Sequence, residues 1–170
     1  MPLGARSEVR CPGCHALFPP IDELRERNLY VEAAPGCFAA YAEIIGLESS
    51  DVRLAGTHML AADAYPAQHP GVPGRQSSQS VWVHLVGLCL SLEHGFDGVA
   101  SARAKGRLAT RDAVFDWLEP PENRGDITVL DVLHAGPDRH RAAVEAWARS
   151  VWDAWAAHHD VIRAKAASLL

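Results

Sequence analysis

The sequence predicts an all-α protein, a helical bundle of four to five helices carrying an irregular, cysteine-bearing head at its N-terminus. Three observations lead there. Apolar residues recur at intervals of three and four through most of the chain after Pro35. The stretch from Val81 to Leu92 is almost wholly apolar and too long for a typical strand. Ahead of both, Val9 to Pro35 is rich in Pro, Gly and charge, and cannot sustain a helix or a central strand. A single domain over residues 1–170 is expected, with residues 1–35 as the cysteine-bearing head and 36–170 as the helical body.

The elements follow in order. Phe38, Tyr41, Ile44 and Ile45 share one face of a helix over Cys37 to Leu47, with Pro35 at the position where helices start readily. Ser50 or Asp51 caps a second helix running to Tyr65 or His69, kinked or shortened by Pro66 and ended by Pro70-Gly71. Residues 71–79 form a connector whose serines can cap the central helix, Val81 to Leu92, which ends at Gly95. A weaker pattern covers Ala109 to Leu118 and stops at Pro120-Pro121. Thr128 and Asp131 form a capping box for a short helix through Leu133. The longest helix runs from about Asp138 to Leu169, with Val144, Ala148, Val151, Trp155 and Ile162 on one face.

Composition narrows the function classes. Sixteen Lys and Arg stand against 21 Asp and Glu, a net charge of -5, so no global positive field attracts nucleic acid or anionic lipid. No apolar run approaches the roughly 20 residues of a membrane helix, and residues 1–10 lack the apolar centre of a signal peptide. The expectation is a soluble cytoplasmic protein without nucleic-acid or membrane partners. In a reducing compartment its four cysteines are metal ligands, catalytic groups or buried thiols rather than disulfide halves.

Cys11-Pro12-Gly13-Cys14 is the most specific chemical signal. Two thiolates spaced by a tight turn can point both sulfurs at one ion, half of a tetrahedral Zn2+ site. Cys37 is the natural third ligand, 22 residues separating it from Cys14, at a helix start whose partial positive charge favours a thiolate. His58, His69, His15 and Asp63 can each supply the fourth, His58 preferred and His69 next. Two rival motifs overlap these residues. A redox dithiol belongs between a strand and a helix of a thioredoxin-like sheet, which is missing, and Cys11 to His15 also reads as a haem-attachment run, which requires export.

A second constellation lies within the helices. Ser80, His84, Gly87 and Ser91 trace a small or polar stripe on the central helix, which either admits a neighbouring helix closely or lines a cavity. Buried His84 is a core histidine with hydrogen-bond partners, or a ligand or general base. At 100° per residue His58, Tyr65 and His69 share a narrow arc, with Asp63 about 140° from His58. Asp63, Tyr65 and His84 are therefore the candidate catalytic residues. His159 of the His158-His159 pair can join His84 in a metal site or mark a surface edge, Trp147, Trp152 and Trp155 are packing residues, and Cys89 is an inert core thiol.

The blocks CPGC, APGCF at 34–38, DAYPAQHPG at 63–71, SVWVHLVGLCLSLEHG at 80–95 and WLEPP at 117–121 resemble an uncharacterised bacterial family, a domain of unknown function common in actinobacteria. The resemblance places Cys11, Cys14, Cys37, Asp63, Tyr65, His69 and His84 within the family's characteristic blocks and implies no reaction. The chain departs from it at His15, where glycine is expected, and at Arg25 to Asn28, where a histidine is expected.

The leading reading is a zinc-binding protein of unknown role, with Cys11, Cys14, Cys37 and His58 or His69 on the metal beside a polar pocket of Asp63, Tyr65 and His84. The alternatives are a zinc-dependent, hydrolase-like enzyme acting on a small molecule, or a metal or thiol sensor. A small-molecule ligand is the partner such a pocket would take, and the sequence leaves the oligomeric state open.

Overall fold

A computed structural model describes residues 7–21, 30–110 and 112–170. The chain is helical, as its periodicity predicts. The head begins with a small antiparallel hairpin, β1 (Val9–Arg10) and β2 (Leu17–Phe18), in which Val9 faces Phe18 and Arg10 faces Leu17. Its loop is the Cys11 to Ala16 turn, closed by Cys11 N–H donating to the Ala16 carbonyl at 2.9 Å and His15 N–H to Cys11 at 3.0 Å. His15 sits there at φ 62, a left-handed position that glycine occupies most easily. That conformation gives the expected glycine a physical reason, and histidine is one of the residues that tolerates it. The departure at residues 25–28 lies outside the described residues.

Seven α-helices follow among the described residues. Helix α1 (Pro35–Ser50) starts with Pro35 in its first turn and turns Cys37, Ile44 and Glu48 inward. Asp51 ends α1 and accepts from Arg53 N–H, so it does not cap the next helix. A 3-10 turn, Ala55–Thr57, leads into α2 (His58–Gln68), which is buried over Ala61 and Asp63 to Gln68 and lies at the centre of the molecule. Helix α3 (Arg75–His94) is the apolar central helix. It begins earlier than expected, taking Ser77 and Ser78 into its body, and Gly74 stands at its N-cap without a side-chain cap. Gly95 closes it at φ 68, with Phe96 N–H bonded to the Leu90 carbonyl at 3.0 Å.

The helix expected over Ala109 to Leu118 is not borne out: among the described residues, none of 109–118 is helical. The helix of this region lies just before it, α4 (Gly98–Leu108), capped by Asp97, whose carboxylate accepts from Ala100 N–H at 2.8 Å. The following chain stays irregular because Trp82 fixes it: its indole donates to the Asp116 carbonyl at 2.9 Å and stacks on Phe115. The capping box forms as expected, opening α5 (Val129–Ala135).

The long C-terminal helix is two helices, α6 (His140–Ala154) and α7 (His159–Ala167), separated by a 3-10 turn, Ala156–His158. His159 Nε2 and Trp155 N–H both bond the Trp152 carbonyl, which therefore does not continue the α-helical ladder. The inward face is nonetheless the expected one, with Val144, Ala148, Val151, Trp155 and Ile162 all fully buried. None of the helices described is long and apolar enough to cross a membrane.

Candidate metal centre

Cys11, Cys14, Cys37 and His69 converge, their ligand atoms all within 4.8 Å of one another and all four residues buried. Three pieces of chain bring them together. The hairpin turn supplies Cys11 and Cys14, the first turn of α1 supplies Cys37, and the residue that caps α2 supplies His69. Cys14 Sγ lies 3.8 Å from Cys37 Sγ, which lies 3.3 Å from His69 Nε2.

The surroundings orient the donors. Nδ1 of His69 lies 2.8 Å from the Tyr65 carbonyl, a bond that makes it the donor and leaves Nε2 as a lone pair facing the sulfurs. Ala34 N–H reaches Cys11 Sγ at 3.4 Å, and the Tyr65 hydroxyl donates to Cys37 Sγ at 3.6 Å. Tyr65 is held by a stack on Tyr41, centroids 3.9 Å apart. Glu32 N–H bonds the His69 carbonyl at 3.1 Å, and Val31 bridges to Pro70, which joins the head to α2.

Space is as constrained as bonding. A Cβ on Gly13 would collide with the His69 ring, 2.8 Å from Cγ and closer to Cδ2. Gly13 has no positive φ, so its requirement is room for the ring rather than backbone freedom.

Crowding three thiols sets their acidity. S–H donation from Cys14 and Cys37 draws the Cys11 thiol far below the usual range, against burial. Its bond and charge push Cys14 up to about 11 and Cys37 higher still. Crowded thiols resist joint ionisation, a cost that a bound cation would offset, and the four donors could hold a metal ion. Burial, with the neighbouring sulfur charge, also pushes the Tyr65 phenol upward.

His58, the preferred fourth ligand, is elsewhere. It begins α2, and its Nδ1 lies 3.5 Å from Glu48 Oε2. Buried Glu48 also accepts from Thr57 Oγ1 at 2.7 Å and bonds His140 Nε2 at 2.9 Å. Sharing an arc is not proximity: eleven residues of helix separate positions 58 and 69 by about 16 Å along the axis.

Asp63, Tyr65 and His84 do not form one pocket. Tyr65 faces the sulfurs. Asp63, fully buried, bonds His84 Nδ1 at 2.8 Å and Lys105 Nζ at 2.5 Å through Oδ1. Its Oδ2 has no partner and lies over Gly87, where a Cβ would come within 2.6 Å of Asp63 Cγ. The stripe on α3 thus admits α2 closely, and Gly87 makes the space. Lys105 lies on α4, a helix that the apolar periodicity does not predict.

The other expected metal or packing residues resolve simply. His159 is not drawn to His84: it stacks on Trp152 with centroids 3.9 Å apart, while His158 Nε2 bonds the Glu119 carbonyl at 2.9 Å. Trp147 and Trp155 are buried and hydrogen-bonded, to Gln68 Oε1 and the Ala67 carbonyl. Cys89 is buried, and burial pushes its thiol up to about 11. Glu93 and His94 lie near it, but Glu93 already holds Arg163 and the Trp152 indole. His15 is exposed and outside the cluster.

No curated protein and no solved structure matches the chain. Residues 9–156 match the Family of unknown function (DUF5946), and with most of its length covered the chain belongs to that family.

Proposed function

We propose that this protein binds one zinc ion through Cys11, Cys14, Cys37 and His69, and that the metal is structural, fastening the N-terminal hairpin to α1 and α2. The observation that carries this reading is the convergence of four buried donors from three separate pieces of chain. A four-ligand set with a hydrogen-bonded imidazole suits a closed site, whereas a catalytic zinc keeps one position for water. Burial of every thiol argues against a labile sensor, whose cysteines must meet solvent. A site built on thiolates belongs in a reducing compartment, so we place the protein in the cytoplasm.

A second reading concerns His84. Its side chain keeps 23% of its surface exposed while Asp63 fixes its Nδ1, which leaves Nε2 as a base or ligand facing outward. A small-molecule substrate would be bound there, away from the sulfurs, in a hydrolase-like role.

X-ray absorption at the zinc edge tests the first reading. It should give three sulfurs near ~2.3 Å and one nitrogen near ~2.0–2.1 Å. Two sulfurs, or an oxygen that exchanges with added anions, would replace the structural site with a different one.

A further inference from the structure

The centre just proposed carries a charge problem, and one residue outside it addresses that problem. A dication with three thiolates and a neutral imidazole keeps one net negative charge, buried and therefore costly. Arg124 reaches the Cys11 to Cys14 turn from 112 positions away, its Nη1 donating to the Pro12 carbonyl at 3.2 Å. Its Nε is buried without a hydrogen-bond partner, an arrangement a cation tolerates best beside negative charge.

The loop that presents Arg124 is rigid at both ends. Gln68, the neighbour of His69, donates Nε2 to the Arg124 carbonyl at 3.3 Å and to Ile127 at 2.9 Å. Trp147 fixes that amide by donating to Gln68 Oε1 at 2.9 Å. Ser150 Oγ on α6 accepts from Asp126 and Ile127 N–H, and Gly125 adopts φ 106 against Ser150. Burial pulls the Arg124 guanidinium below its ordinary range, and the charges that act against this are Glu32, then Cys11, then Glu119; of these Glu32 and Glu119 are exposed and screened by water, whereas Cys11 is buried.

We infer that Arg124 is the counter-charge of the Cys3His centre, held over the cysteine turn by a loop that Gln68 and Ser150 anchor. This rests on the zinc reading above. Arg124 acts through the thiolates and is a positioning residue, not a ligand.

The test uses the full chain loaded with Co2+, whose sulfur-to-metal charge-transfer band reports thiolate energy, together with competition by a chromogenic chelator. Removing a nearby cation raises the thiolate donor levels. Arg124→Gln should therefore shift the band to longer wavelength and release metal about 10–100-fold more readily, the usual size of an outer-shell loss. Arg124→Lys, which keeps the charge but not the fork, should hold the band in place and retain metal within about threefold of the parent protein. An unmoved band in folded Arg124→Gln, or a shift in Arg124→Lys equal to that in Arg124→Gln, would overturn the inference. The far-ultraviolet helical signal checks folding; if Arg124→Gln is unfolded, Arg124→Met, which also removes the charge but keeps an apolar stem, takes its place in the comparison with Arg124→Lys. A parent protein with no sulfur-to-cobalt band would instead sink the metal centre itself.

Discussion

Gly13→Ala is the smallest change that should disable the centre, since it adds one methyl group and removes no ligand. The new Cβ would stand 2.8 Å from His69 Cγ, where ordinary contact begins near 3.4 Å, so the ring must retreat by about 0.6 Å or more. The ring has little room to do so. Its Nδ1 is tied to the Tyr65 carbonyl at 2.8 Å, and the Tyr65 ring lies over it with centroids 4.2 Å apart. Metal–ligand distances tolerate about 0.2 Å, so the displacement is roughly three times what coordination allows. The expected result is a loss of zinc affinity of about 10–100-fold, with overpacking costing about 1–3 kcal/mol of stability. Chelator competition measures the first and urea unfolding the second. If the effect runs chiefly through His69, then in a His69→Ala background the same substitution should cost at least about 0.5 kcal/mol less, the remainder coming from the Glu32 carbonyl 3.0 Å from the new Cβ. Gly13→Ala protein that holds zinc within threefold of the parent would show that the His69 ring has room to move without leaving the metal.

Other substitutions probe the remaining features. His58→Ala should leave zinc affinity unchanged while His69→Ala lowers it sharply, as read by the same competition; equal losses would restore His58 as a ligand. Gly87→Ala, whose Cβ would press into the Asp63 carboxylate, should cost about 3 kcal/mol and lower Tm by about 6–12 °C, because Asp63 must leave Lys105 or His84. His15→Gly should leave metal binding untouched and raise stability by up to about 1 kcal/mol by relieving the positive φ. Arg163 and the Trp152 indole hold the Glu93 carboxyl below its ordinary range. A depressed carboxyl stabilises the fold above its unfolded pKa, and this contribution is lost as pH falls through the folded value. The stability difference between parent and Glu93→Gln should therefore be about 0.5–1 kcal/mol near neutrality and vanish in acid, measured by urea unfolding across pH.

Local chemistry made the cysteine turn, the start of α1 and the α5 capping box legible in the sequence, because each is decided by a few adjacent residues. Cys37 could be paired with the turn because it opens a helix two residues after Pro35. What one-dimensional periodicity hides is translation and competition. The His58 arc counts rotation about the helix axis and takes no account of the rise along it. The α6–α7 break depends on a His159 side chain reaching back to the Trp152 carbonyl, and the irregular path after α4 depends on Trp82 gripping Asp116, both tertiary bonds. Helix α4 did carry a signal, Asp97 as a cap before an Ala-, Arg- and Lys-rich run, which Gly98 and Gly106 diluted. The Asp63–His84 pair needed Gly87 to be read as room for a carboxylate, and Arg124 needed the fold to carry it to Pro12.

The Cys3His centre is tested by the metal content of protein purified without added metal, by elemental mass spectrometry, with reactive thiols counted before and after chelation. A structural zinc centre should give about one zinc per chain and three thiols protected until the chelator removes it. Protein that carries no metal, and whose thiols react alike with and without chelator, would contradict it.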